Sequence, residues 1–179
     1  MPETRKLDRN FLTCNTMKKF FLTFVAAFVT FSAFAQVKLS CDLPEVEFVY
    51  KRCTLSGSTA FIDFTFTNTT GKDINRLAIG CENAVAYDDE GNDYKFANHG
   101  ADGTHIIKEY QIGGHSSSSW DIKVNDFMEG VTYKLRIVFT NIDEYATNFV
   151  RMKIPVFIDN NGSNKRGTLE LRNVPLKQE

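Results

Sequence analysis

The sequence predicts an all-β domain, built as an antiparallel sandwich or barrel of about eight to ten strands. One observation is the alternation along Ala60–Asn68, where Ile62, Phe64 and Phe66 point to one side and polar residues point to the other. A second is the regular spacing of further strand-like segments, which glycine-rich turns separate. A third is that no stretch after residue 36 carries apolar residues at helical spacing.

The segment Ala60–Asn68, which we call the organising strand, is preceded along the chain by a second predicted strand. Val46–Cys53 places Val46, Phe48 and Tyr50 on one face, and the turn Leu55–Ser58 leads into the next strand. Two alternating segments joined by a short glycine-containing turn are typical of an antiparallel hairpin. The remaining strands are predicted at Val37–Ser40, Ile74–Gly80, Ala84–Tyr87, Tyr94–Phe96, His105–Ile112, Trp120–Val124, Val131–Asn141, Phe149–Ile158 and Thr168–Leu176.

Three details of this order are predicted as well. Residues 113–119, two glycines followed by His115 and a serine run, are expected to form a flexible connection. Pro155 and Pro175 place the last two strands at sheet edges or strand ends, because proline cannot donate to a ladder. Trp120 alternates with apolar residues and is expected to face the core.

Residues 1–35 are predicted to be an upstream extension and a signal peptide. Met17-Lys18-Lys19 is a short basic region, residues 20–34 are mainly apolar, and Ala33-Phe34-Ala35 is a small-x-small cleavage site. The apolar stretch is shorter than the roughly 20 residues of a membrane-spanning helix. We therefore expect the true start at Met17 and a mature, exported chain that begins at Gln36. Residues 36–179 would form one β-sandwich domain in the periplasm or outside the cell.

The charge of the mature chain narrows the class of partner. Cleavage would remove five of the 21 basic and two of the 22 acidic residues, which leaves 16 against 20 and a net charge of −4. An evenly mixed, mildly acidic surface is unlike the basic stripe that nucleic acid requires. It is also unlike the polybasic segments that bind anionic membranes. Nucleic acid and stable membrane insertion after cleavage are therefore not expected.

Three cysteines remain in the mature chain: Cys41, Cys53 and Cys81. An odd count in an exported protein suggests one bridge and one unpaired thiol. The predicted strand order brings Cys53 and Cys81 to the same end of the domain, with Cys41 near the other end, a strand length away. A bridge needs Cα atoms within about 7 Å, so Cys53–Cys81 is the predicted pair. The alternative is that all three are reduced and packed, as buried cysteines often are.

A strand exit and a hairpin motif follow one another in the first half of the chain. Residues 46–57 read V-E-F-V-Y-K-R-C-T-L-S-G, residues 61–70 read F-I-D-F-T-F-T-N-T-T, and residues 86–94 read A-Y-D-D-E-G-N-D-Y. With this Thr-Asn exit before an Asp-x-x-Gly-x-x-Tyr hairpin, the chain resembles exported bacterial immunoglobulin-like β-sandwich proteins of the immunoprotective-extracellular-protein-like kind. The resemblance covers roughly residues 46–140 and implies an immunoglobulin-like sandwich in an envelope or secreted module. It carries over no functional residues, and the lipobox cysteine of lipid-anchored members is missing here.

The acidic loop of residues 88–93 is the segment that most resembles a metal site. Carboxylates around a central glycine suit a hard cation, so the loop supplies calcium candidates. They are Asp88, Asp89, Glu90, Asn92 and Asp93. The spacing is not that of an EF-hand, and the simpler interpretation is a charged hairpin tip in which Gly91 adopts a positive φ.

The histidines and serines do not form a recognisable catalytic pattern. His99, His105 and His115 lie close in sequence, but a zinc site needs three or four converging ligands. The serine run after His115 lacks the strained elbow of a G-x-S-x-G nucleophile. We therefore expect no enzyme activity and no cofactor.

The function expected from the sequence is that of a non-catalytic interaction or structural module with a protein or glycan partner. Edge strands and end loops are the surfaces that such a fold offers. The alternative from another class is a cell-envelope glycan-binding accessory domain that uses calcium. An enzyme built on the histidine-bearing loops is the third candidate.

Overall fold

The computed structural model describes residues 36–80, 83–96, 103–118 and 121–178. Every regular element within these ranges is a strand, which confirms the predicted all-β class. No helix in this part of the chain is long and apolar enough to cross a membrane. The strands are β1 Lys38–Cys41, β2 Val46–Ser56, β3 Thr59–Asn68, β4 Ile74–Gly80, β5 Val85–Asp88, β6 Asp93–Phe96, β7 Ile106–Ile112, β8 His115–Ser117, β9 Asp121–Phe127, β10 Thr132–Thr140, β11 Asn148–Asn160 and β12 Ser163–Pro175.

The strands belong to one hydrogen-bonded sheet that nearly closes on itself. Its main path runs β1-β12-β11-β5-β6-β7-β10-β3-β2, with β4 beside β11, β9 beside β4 and β8 beside β7. The backbone N–H of Leu55 in β2 donates to the carbonyl of Lys177, just after β12, at 2.7 Å. This bond links β2, at one end of the path, to the segment that follows β12, beside the other end, so the sheet is barrel-like. The strand pairs are antiparallel except for β6 and β7, which run parallel.

The predicted hairpin and its inward face are confirmed. β2 and β3 pair antiparallel, and Ile62, Phe64 and Phe66 are at most 1% exposed. Phe66 packs on the ring of Phe48 with centroids 5.6 Å apart and on the ring of Phe127 at the same distance. Because β3 lies between β2 and β10, its inward side chains meet rings from several strands.

A bulge in β2 changes which residues face the core. The pairing with β3 shifts between Tyr50 and Arg52, so Lys51 is an extra residue. Before the bulge Val46 and Phe48 are buried, and after it Cys53 and Leu55 are buried. A bulge places two residues opposite one, so both Lys51 and Arg52 face solvent.

The position predicted for Pro155 was wrong, although the reason behind it holds. Pro155 lies inside β11, which has neighbours on both sides. On one side the β5 pairing ends at Lys153 and the β4 pairing begins at Val156, so Pro155 falls between two ladders. A residue without a donor is tolerated in that gap. Pro175 ends β12, as predicted.

The flexible connection predicted for residues 113–119 was also wrong in part. His115–Ser117 forms β8, which pairs with β7. Gly113 and Gly114 have φ angles of 55° and 92°, and a two-residue hairpin turn requires such positive values. The Gly-Gly pair was the available sequence signal for this hairpin.

Candidate functional site

A groove of about 600 Å³ lies on the outer face of β2, β3, β10 and β7. Such a volume lies within the range of small-molecule sites, and most of the residues that line it are charged or polar. The floor is the polar face of the organising hairpin and its neighbours, and the β7–β8 turn borders one side. The charged and polar side chains of the lining are Lys51, Arg52, Asp63, Thr65, Gln111, Lys134 and Arg136.

The strand registers align the central residues of the groove into one row. Arg52 on β2 lies opposite Asp63 on β3, and Asp63 lies opposite Arg136 on β10. Arg136 in turn lies opposite Gln111 on β7. Lys134 is two residues before Arg136, on the same face, opposite Thr65. Neighbouring strands lie about 4.8 Å apart, so the row presents its side chains at close, regular spacing.

Asp63 is the centre of this row because both arginines bind it. The Arg136 guanidinium donates twice, from Nε to Oδ1 at 2.7 Å and from an Nη to Oδ2 at 3.0 Å. Arg52 donates from Nε to Oδ2 at 2.9 Å. The Arg136 guanidinium also lies 5.4 Å from the centroid of the Phe61 ring. A forked contact and a ring beneath it restrict the guanidinium of Arg136 more than that of Arg52.

The two arginines keep the Asp63 carboxyl ionised. The hydrogen bonds from Arg136, and then those from Arg52, lower the pKa of the Asp63 carboxyl below its usual value. Arginine does not lose its proton in proteins. At neutral pH the row is therefore fixed as two cations that flank one anion.

Two lysines give the groove an excess of positive charge. Within the described part of the chain, neither Lys51 nor Lys134 takes part in an ion pair, and with the arginines they set four cations against Asp63. Outside the groove, residues 36–179 carry 12 basic and 19 acidic residues, since the 16 and 20 of that range include the four cations and Asp63. In that range the groove is a cationic area on an otherwise acidic chain.

Glu170 on β12 is a second carboxylate that binds two arginines, so it can be compared with Asp63 on β3. Glu170 accepts hydrogen bonds from Arg151 and from Arg172, at 3.0 and 2.6 Å between Nε and Oε1. Arg151 lies on β11, whereas Glu170 and Arg172 both lie on β12, so a carboxylate bound by two arginines occurs again in this sheet but spans two strands instead of three. The groove is what distinguishes the Asp63 row, because Lys38 lies opposite Arg172 and Lys153 lies opposite Glu170, so lysines flank both carboxylates.

The Asp88 carboxylate is buried and accepts hydrogen bonds from protein groups, so it does not face an open metal site. Asp88 is 3% exposed. Its Oδ1 accepts from the backbone N–H groups of Glu90 (3.1 Å) and Asn92 (2.8 Å), and its Oδ2 accepts from the Tyr94 hydroxyl (2.8 Å) and the Asn92 amide (3.0 Å). Gly91 has a φ of 89°. The Asp-x-x-Gly-x-x-Tyr motif is therefore a self-bonded turn whose tyrosine enters the core.

The other calcium candidates are held apart in the same way. Asp89 accepts from the backbone N–H groups of Thr147 (2.9 Å) and Asn148 (3.2 Å) and from both their side chains, which fixes the loop before β11. Asp93 pairs with Lys95. Within the described ranges, no three His, Cys, Asp or Glu side chains are placed to hold a metal ion.

His105, His115 and Cys53 lie in separate parts of the described structure. The Nδ1 of His105 is 2.8 Å from the carbonyl oxygen of Asn141, and His115 is exposed on β8. Cys53 is buried and forms no disulfide with another described residue, and burial, together with the charge of Asp63, raises the pKa of its thiol to about 12. The three remaining positions, His99, Cys81 and Trp120, lie outside the described residues, so the Cys53–Cys81 pair stays a prediction.

The cationic groove was not predicted from the sequence. Its charges come from Lys51 and Arg52 on one strand and from Lys134 and Arg136 on another, more than 80 positions later. Only the pairing of β3 with β10 brings them together. Alternation placed Lys134 and Arg136 on an outward face, but it gave no signal that Arg52 also faces outward or that the two strands lie close together.

The comparisons with known proteins identify no family. No protein-family model matches the chain, and no curated protein matches it. Among solved structures, one that is similar is an inactive mutant of the GH20 exo-β-N-acetylglucosaminidase from Vibrio harveyi, with 11% identity and a TM-score of 0.27. That alignment covers 75% of this chain and 18% of the other, so the chain spans less than a fifth of that structure. A likeness at this level supports no statement about function.

Proposed function

We propose that the protein is an exported, non-catalytic binding module that uses the groove around Asp63 to hold an anionic partner. The observation that carries this proposal is that four cationic side chains and only one anionic side chain line a groove of about 600 Å³. Lysine and arginine clusters recognise carboxylate, sulfate and phosphate groups through charge-assisted hydrogen bonds. The four strands beneath the groove hold these side chains on rigid elements.

The chemistry of the groove supports binding over catalysis. A general acid or base works best when its pKa lies near the operating pH. The arginines hold the pKa of Asp63 below its usual value, and arginine itself does not lose its proton in proteins. Such groups orient and neutralise an anion but do not transfer protons at neutral pH.

The location and the finer fold class belong to the same proposal. Export to the periplasm or beyond rests on Lys18-Lys19, the apolar stretch and Ala33-Phe34-Ala35. The immunoglobulin-like class rests on the Thr-Asn strand exit and the Asp88–Tyr94 hairpin. In such a module, the outer face of a sheet is accessible to envelope or extracellular partners.

The proposal is tested by mapping anion binding on the mature chain from Gln36. Dextran sulfate is titrated into labelled protein, and backbone amide shifts are followed by NMR, with uncharged dextran as the ligand control. We expect shifts centred on Lys51, Arg52, Lys134 and Arg136 that weaken as salt is added. The double variant Lys51→Gln/Lys134→Gln should bind dextran sulfate more weakly, and Lys153→Gln on β11 serves as its matched control.

Two results would overturn the proposal. Shifts that spread evenly over all exposed cations would mean that the groove is not a site. A response centred on residues 88–93 after calcium addition, with binding of uncharged dextran, would favour the calcium-using glycan module instead.

A further inference from the structure

The positive charge of the groove is divided into two parts. Lys51 and Arg52 on β2 lie on one side of Asp63, and Lys134 and Arg136 on β10 lie on the other. We call these pairs the β2 lobe and the β10 lobe. Because β3 separates the two strands, the lobes are about 10 Å apart at the backbone.

The carboxylate between the lobes disfavours a single small anion. A lone carboxylate or sulfate that binds at the centre must compete with Asp63 for the guanidinium of Arg136 or of Arg52, whose bonds to Asp63 measure 2.7–3.0 Å. It would also approach the Asp63 charge itself. A ligand with two anionic groups, one at Lys51 and one at Lys134, contacts both lobes and leaves the arginines on Asp63.

The rest of the lining favours a carbohydrate over a protein segment. Thr65 contributes a hydroxyl, and Gly113 and Gly114 contribute backbone groups. Gln111 contributes an amide oxygen, while its nitrogen donates to Glu109 at 2.8 Å. No exposed large apolar side chain of the described residues lines the groove. Protein interfaces depend on buried aromatic and aliphatic anchors, whereas sugar hydroxyls require hydrogen-bonding side chains of this kind.

We propose that the groove binds an acidic polysaccharide across the strands, with two of its acidic sugar units on the lobes at either side of Asp63. This inference rests on the proposed function and adds the class of ligand and its simultaneous contact with both lobes. Linking two weak contacts makes the second one intramolecular, so affinity should depend on the length of the chain. Asp63 acts here as a positioning residue, which holds both arginines and selects against single anions.

The test uses galacturonic acid oligomers, from the monomer to the hexamer, titrated into the mature chain by calorimetry and NMR. Affinity should rise roughly tenfold or more once an oligomer reaches both lobes. The variant Lys51→Gln/Arg52→Gln should reduce hexamer affinity by a similar factor, to near that of the monomer. Arg172→Gln is the matched control, since it removes an arginine from the Glu170 row outside the groove.

Asp63→Asn separates positioning from general charge effects. With the internal anion removed, monomer affinity should rise and the advantage of the hexamer over the monomer should shrink. A merely structural role for Asp63 would lower both affinities together. Thermal unfolding of each variant checks that the fold is retained. Because the Arg52 side chain is 61% exposed, its substitution should leave the fold intact.

The outcomes distinguish this inference from the proposed function. Groove binding with equal affinity for monomer and hexamer would overturn the inference and leave the anion site standing. Tighter binding of glutamate oligomers of matched charge would overturn the assignment to a polysaccharide in favour of an acidic protein segment. Failure of every anion to bind would overturn both.

Discussion

Tyr94→Phe removes one buried hydroxyl of the hairpin motif together with its two hydrogen bonds. The Tyr94 hydroxyl donates to Oδ2 of Asp88 at 2.8 Å and accepts from the backbone N–H of Asp143 at 3.3 Å. The ring packs edge-on against Phe149, with centroids 5.3 Å apart. The substitution keeps this ring contact and removes only the hydroxyl, so the change in stability reports on the polar contacts.

The expected loss follows from the charge of the acceptor. A hydrogen bond to an ionised group contributes about 1.5–3 kcal/mol. Asp88 would keep its bonds from Glu90 and Asn92, so the buried carboxylate is not left without partners. We therefore expect Tyr94→Phe to lower the free energy of unfolding by about 2 kcal/mol. For a chain of this length that corresponds to a fall in Tm of about 4–8 °C.

Urea denaturation of the mature chain measures this loss. Tyr87→Phe is the matched control, because Tyr87 lies on the same hairpin, is 41% exposed and has no hydrogen bond from its hydroxyl within the described residues. The control should change the free energy of unfolding by less than about 0.5 kcal/mol. A loss below that value for Tyr94→Phe would refute the role assigned to the hydroxyl.

A double-mutant cycle with Asp88→Ala adds a second check. If the two side chains bind each other, the losses should fall short of additivity by about 0.5–3 kcal/mol. Additive losses would show that Asp88 stabilises the turn only through the loop amides.

Two further predictions concern the interior. Phe64→Ala should lower the free energy of unfolding by about 3–5 kcal/mol, measured by urea denaturation. Phe61→Ala, on the outward face of the same strand, should lower it much less. Equal losses would contradict the assignment of the two faces. In reduced native protein, Cys41 should be alkylated before Cys53, because the Cys53 thiol is buried with its pKa raised to about 12. Faster labelling of Cys53 would contradict its burial, and a linked Cys53–Cys81 peptide from unreduced exported protein would confirm the predicted bridge.

The sequence by itself determined the class of fold and the inward face of its strands. Alternation along Ala60–Asn68 requires one buried and one wet face, and this local property does not depend on the neighbouring strands. The Asp88–Tyr94 motif could likewise be recognised, because a turn is decided by residues close in sequence. Its interpretation as a hairpin tip needed only Gly91 and the polar residues beside it.

Tertiary structure alone decided the closure of the sheet and the position of the site. Alternation fixes which way a side chain points but not which strand lies beside it, so the row Arg52–Asp63–Arg136 had no signal in the sequence. The bulge at Lys51 turned a second cation outward. Pro155 was misplaced for the same reason, since the gap between two ladders exists only once β4 and β5 lie side by side on β11. Pairing between distant segments is a property of the whole chain, and it assembles the cationic groove.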